Sequence, residues 1–305
     1  MKRILAAAAL VAMTTAQAEE IKFGDLNYFV KQGQFNLTAD MNNVTENLQA
    51  GGVKIENEGY IIASTLTYGI TEELNAFVGL KYFWDFETHV NGGPSLDTAG
   101  LKSPTLGANY RLAKQADRGF NVDVGVVASF NLQSAEVADT TSDEGNTLAP
   151  EYSNFAQTRN SIELNVRTGK KWNEANEWYA LAALVNHTSG EYESASSGAE
   201  TDVDASMDFK VGAFYQYRPV NEFMYTFGLV ATQYGEVEYK DNTATNEADA
   251  HTDLQFIFAA KYLVTDALIV KFNYLQDRRP DFDIDNVEVN RRRSKQYGLG
   301  VDWLF

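Results

Sequence analysis

Three histidines and no cysteines limit the side-chain chemistry this 305-residue chain can offer. Without thiols there are no disulfides and no thiolate nucleophile, so metal ligation would fall to imidazole and carboxylate. His89 and His251 sit in or beside polar stretches with no second His or Cys at ligand spacing, and neither a metal nor a cofactor is expected. His187 differs, because Asn186-His187-Thr188-Ser189-Gly190 places an imidazole and the Ser189 hydroxyl two residues apart. On an extended chain these share one face, an arrangement in which a base can activate a hydroxyl nucleophile. A working pair also needs a third group to orient the imidazole, and Thr201 and Asp202 further along are not a firm match. Asp281, Asp283 and Asp285 alternate as in a calcium loop. Asn286 stands where the sixth-position glycine belongs and Arg292 where the twelfth-position glutamate belongs, which removes that reading.

The remaining charges are informative through the elements that carry them. Lys81, Arg111, Asp123, Glu163, Arg167, Asp208, Lys210, Asp253, Lys261, Lys271 and Asp302 each fall on the polar parity of a segment that alternates apolar and polar residues. In one such segment Phe120, Val122, Val124, Val126, Ala128, Phe130 and Leu132 alternate with Asn121, Asp123, Gly125, Val127, Ser129 and Asn131. In another, Met207, Phe209, Val211, Ala213, Tyr215 and Tyr217 alternate with Asp208, Lys210, Gly212, Phe214 and Gln216. A period of two is that of a β-strand with unlike faces. Twelve such segments are expected, at 28–39, 57–70, 74–85, 102–112, 119–133, 158–170, 177–189, 205–217, 222–237, 251–264, 267–277 and 291–305. Short turns near 71–73, 114–118, 173–176, 218–221 and 265–266 alternate with long polar connections near 40–56, 86–101, 134–157, 190–204, 238–250 and 278–290. An even number of strands with short turns at one end and long loops at the other describes a transmembrane barrel.

The chain ends on Lys295-Gln296-Tyr297-Gly298-Leu299-Gly300-Val301-Asp302-Trp303-Leu304-Phe305. This alternating strand with a terminal aromatic resembles the closing strand of Gram-negative outer-membrane β-barrels of the small channel class. The resemblance implies an all-β fold, a transmembrane antiparallel up-and-down β-barrel of about twelve strands. It also implies that Phe305 is recognised by the barrel-assembly machinery. Lys2 and Arg3, an apolar run from Ile4 to Met13, and Ala16-Gln17-Ala18 read as a signal peptide over 1–18, leaving one barrel domain over 19–305. A short periplasmic lead precedes the first strand, and no plug domain is expected. Tyr60, Tyr82 and Trp84 mark an outer aromatic girdle, and Tyr68, Tyr110, Tyr217 and Trp303 a periplasmic one.

Net charge is −17, and removal of Lys2 and Arg3 with the leader takes it to −19. Nucleic acid is therefore not an expected partner, since its binding rests on neutralising phosphates with Lys and Arg. The inward charges are either an ion-pair network filling the barrel or the lining of a wet pore. A monomeric outer-membrane channel for small hydrophilic solutes or ions is the expected function. Two alternatives remain: a closed structural or surface-interaction barrel, and a lipid hydrolase. For the latter, His187 and Ser189 resemble the His-x-Ser element of outer-membrane phospholipase A and lipid A deacylase. Arg278, Arg291, Arg293 and Lys295 share the outward parity of Tyr297 and Leu299 above the apolar band. Arginine binds phosphate through paired, charge-assisted hydrogen bonds, so these residues are expected to bind lipopolysaccharide.

Overall fold

The computed structural model describes residues 21–305 apart from 51–52, 91–94, 131–158, 194–199, 242–244, 279–281 and 285–286. The leader expected at 1–18 lies outside the described residues. Two long hairpins come first, β1 (Phe35–Ala50) with β2 (Val53–Gly69), and β3 (Leu74–Val90) with β4 (Ser95–Ala113). A single helical turn, α1 (Gln115–Arg118), leads through Gly119 at φ 80° into β5 (Asn121–Ser129). The left-handed backbone at Gly119 is the usual glycine stop for a helix. Next come β6 (Ser161–Asn173) and β7 (Asn176–His187), then a small hairpin of β8 (Gly190–Glu193) and β9 (Glu200–Val203). β10 (Ser206–Val220) and β11 (Phe223–Gln233) precede a second small hairpin, β12 (Val237–Asp241) and β13 (Thr245–Ala248). β14 (Thr252–Thr265), β15 (Leu268–Arg278), the short β16 (Phe282–Ile284) and β17 (Val287–Leu304) complete the chain.

Twelve of these strands form a closed antiparallel barrel. Each of them pairs with its neighbours in sequence, the small strands β8, β9, β12, β13 and β16 standing outside the wall, and β1 pairs with both β2 and β17. Closure is completed by reciprocal bonds, Phe35 N to Phe305 O at 2.7 Å and Phe305 N to Phe35 O at 2.9 Å. In hydrocarbon no water is present to bond a free strand edge, and closure removes the edge.

The outward face is apolar. Leu299 is 65% exposed, Leu164 57% and Leu229 56%, values that in water would be a large hydrophobic penalty and in lipid are the expected contact. Girdle residues Tyr82, Trp84, Tyr68, Tyr110, Tyr217 and Trp303 are all exposed on this face. At the short-turn end Phe35 packs on Tyr68 and Phe305, and Trp303 on Phe305, so the terminal aromatic joins a cluster at the seam.

The strands depart from the expected spans mainly at their outer ends. The first expected strand, 28–39, is displaced to Phe35–Ala50, and the connections placed at 40–56 and 86–101 are largely strand. Polar residues there disguise the strands because they extend beyond the bilayer, where an apolar face is no longer required.

Candidate functional site: the barrel interior and its N-terminal insert

Residues 21–34, of which 21–27 are expected as a short periplasmic lead and 28–34 as the start of the first strand, instead fold into the short-turn end of the barrel. Gly24 makes the entry possible: its φ is +93°, and a Cβ there would lie 2.8 Å from Ile269 Cδ1. Beside it Phe23 packs with Met224 and Ile269, both fully buried, so an apolar anchor fixes the segment against β11 and β15. Asp25 is the polar anchor. Its carboxylate is bound by Lys171 Nζ at 2.8 Å and Arg218 Nη2 at 2.5 Å, with Asp25 and Lys171 buried and Arg218 partly so. Glu177 accepts hydrogen bonds from the backbone N–H of Leu26 (2.7 Å), from both nitrogens of Asn27, and from Gln216 Nε2 (2.7 Å). Arg111 donates to the Asn27 carbonyl at 2.9 Å and stacks over the Phe29 ring at 4.5 Å. Gly169 and Gly69 clear the path: a Cβ at Gly169 would fall 2.1 Å from Asn27 Oδ1, and one at Gly69 would fall 2.0 Å from Lys31 O.

The insert does not fill the mouth. Between it and the wall formed by β1 to β7 lies a cavity of about 210 Å³, bounded by Leu26 to Val30 on one side. On the other stand Asn36, Asn75, Asn109 and Asn121, with Asp123 and Arg167. Amides donate and accept without net charge, and so suit polar solutes of either sign. At roughly 30 Å³ per water the space holds on the order of seven.

Further along the interior, the charges expected from parity are mostly in pairs. Arg111 Nε meets Asp123 at 2.7 Å, Lys210 Nζ meets Glu163 at 3.2 Å, and Lys271 Nζ lies 2.9 Å from Asp302 and 3.1 Å from Asp40. Arg167 donates to Asn109 Oδ1 at 2.9 Å, and Lys261 donates to Gln216 Oε1 at 3.1 Å. Asp253 is buried near the outer end of β14. Lys81 has no ion pair among the described residues and stands exposed on the same parity as Gly79 and Phe83. Of these groups, Asp123 and Arg167 border the cavity.

His187 and Ser189 are not brought together as a nucleophile and base. His187 takes the inward parity, and its Nε2 is 2.8 Å from Asp208 Oδ2, whose other oxygen accepts from Gly235 N at 3.2 Å. Ser189 is exposed just beyond the end of β7. On the outer face Arg278 and Arg293 are exposed and directly opposed across β15 and β17, with Lys295 exposed next to them opposite Gln276. The side chains of Arg291, Asp281, Asp283 and Asp285 lie outside the described residues.

Sequence reading placed Arg111 inward but missed the insert and, of the groups that hold it, Lys171, Glu177 and Arg218. Lys171 and Arg218 were available on the inward parity of β6 and β10, as continuations of Arg167–Gly169 and Phe214–Gln216. Their position next to short turns made them look like turn residues. Asp25 in Phe23-Gly24-Asp25 carries no periodic signal.

In fold the chain is similar to an outer membrane channel from Pseudomonas putida F1. That comparison has 16% identity, covers 94% of this chain and 100% of the other, and has a TM-score of 0.58. Similarity extends to the NanC porin, at 11% identity over 86% of this chain and 98% of that one, TM-score 0.46. It extends also to the KdgM porin, at 6% identity over 86% and 98%, TM-score 0.44. No family model and no curated protein matches the chain. The architecture is that of an outer-membrane β-barrel, and a barrel with a lipid-facing belt resides in the cell outer membrane.

Proposed function

We propose that this barrel is a passive channel for small hydrophilic solutes or ions. The observation that carries the reading is the polar cavity of about 210 Å³ left between the N-terminal insert and the β1 to β7 wall. A closed structural barrel would gain by filling that space with apolar side chains, whereas a row of asparagines keeps it wet. The outer membrane channel of similar fold from Pseudomonas putida F1 supports the same reading. Liposomes containing the refolded chain are expected to swell in small neutral solutes such as glycerol and to exclude disaccharides. Swelling rates equal to those of empty liposomes would favour the closed barrel. The lipid-hydrolase alternative has no support from geometry, because His187 faces inward to Asp208 and away from the acyl chains.

A second proposal concerns the outer face. Like charges directly opposed across a strand pair are destabilising, yet Arg278 and Arg293 stand so, both exposed. Above the apolar band these guanidiniums meet the headgroup layer, where lipopolysaccharide phosphates supply the bridging anion.

A further inference from the structure

At the outer end of β2 and β3, the alternation of side chains breaks. Gly59 alone faces the pair Asp85 and Phe86: Tyr60 pairs with Trp84 on one side of the break, and Glu58 with Glu87 on the other. The extra residue is a β-bulge, and Asp85 adopts φ 50° within it. Continued from Trp84, plain alternation would turn Glu87 and His89 into the interior. The bulge reverses this, setting Glu87 and His89 on the same face as Glu58, above the outward ring pair Tyr60 and Trp84.

The ligand atoms of Glu58, Glu87 and His89 lie within 4.8 Å of one another. His89 Nε2 is 3.3 Å from Glu87 Oε2, and both side chains are about a third exposed, at 32% and 38%. Two ligands at zinc bonding distances of about 2.0–2.1 Å and tetrahedral angles are roughly 3.3 Å apart, so two of three ligands already stand at the required separation. Glu58 is exposed and needs only a rotamer adjustment to supply the third. Left without a cation, two glutamates directly opposed across a strand pair repel.

We propose that Glu58, Glu87 and His89 form a surface site for a divalent transition-metal ion of the zinc class, with water in the open fourth position. An imidazole with two carboxylates suits zinc, nickel or copper. Calcium takes six to eight oxygens and magnesium a near-octahedral shell, which this group does not supply. The site ties together strands with no short connection at this end, since β2 and β3 are joined by the turn at 70–73 at the opposite end. The ion would therefore stabilise the outer extensions of the barrel wall, by an amount set by its concentration over its dissociation constant.

The experiment uses the untagged full barrel refolded in detergent and titrated calorimetrically with zinc chloride. One ion per chain is expected to bind, with affinity falling at least tenfold in His89→Ala and in Glu58→Gln, and unchanged in His251→Ala. Calcium and magnesium at millimolar concentration should not compete. Heat-modifiable migration on gels checks that each variant remains folded. Absence of zinc binding, equal binding by the His89 and Glu58 variants, or displacement by calcium would each overturn the assignment.

Discussion

Asp25 joins a side chain to the proposed transport. Its carboxylate pairs with both Lys171 and Arg218 in a largely buried site, and removing one partner of a buried ion pair typically costs about 3–5 kcal/mol. Asp25→Ala is therefore expected to unseat the insert while leaving the barrel wall intact. Single-channel recordings should show larger or more frequently open steps, and limited proteolysis should cut the N-terminal segment faster. Recordings indistinguishable from wild type would mean that Phe23 with Met224 and Ile269 suffices to hold it. Glu73 supplies a milder test at a turn outside the membrane. A hydrogen bond from Lys114 Nζ, 2.5 Å away, holds its carboxyl below the ordinary 4.5. Stability from this pair is present above pH 4.5 and is lost as pH falls through the lower folded value. Glu73→Gln should thus flatten the acid limb of a pH–stability curve slightly, the pair being exposed, and leave the neutral plateau almost unchanged. Residues of this kind were unevenly legible in the sequence. Arg111, Asp123, Lys271 and Asp302 could be read because strict alternation carries them inward. Glu87 and His89 could not, because a bulge changes parity without leaving any composition signal, and their meeting with Glu58 depends on cross-strand register.

Among the elements, the strands that cross lipid were visible because one face must be apolar; β10 and β14 match their alternating segments to within about three residues. Where strands rise beyond the bilayer that demand ends, and β1 through β4 are longer than their apolar patterns. The insert is an element that alternation cannot announce, since it is held by single anchors and glycine clearances. Gly169 tests it: any larger side chain collides with Asn27, so Gly169→Val should displace the insert and raise conductance in the same direction as Asp25→Ala. No change in that variant would place the insert elsewhere under working conditions. At the other end of the wall, Arg278→Gln with Arg293→Gln should reduce co-purified lipopolysaccharide and lower thermal stability only when that lipid is present. Equal destabilisation in pure detergent would favour intramolecular pairing of these arginines instead.

For the whole molecule, the net charge of −17 and the mixed signs of the interior act on ions at different places. An acidic exterior enriches cations within a Debye length of the mouth, about 10 Å at 0.1 M salt, while paired interior charges give no strong preference. A reversal potential in a KCl gradient is expected to indicate weak cation selectivity, and clear anion selectivity would contradict this electrostatic account. Transport as proposed requires the space beside the insert to be a conducting path. Its most direct measurement is planar-bilayer conductance of the refolded chain alongside Asp25→Ala. Discrete small steps in the wild type that grow in the variant are the predicted result; no conductance in either, with both proteins shown to be folded and inserted, would contradict it.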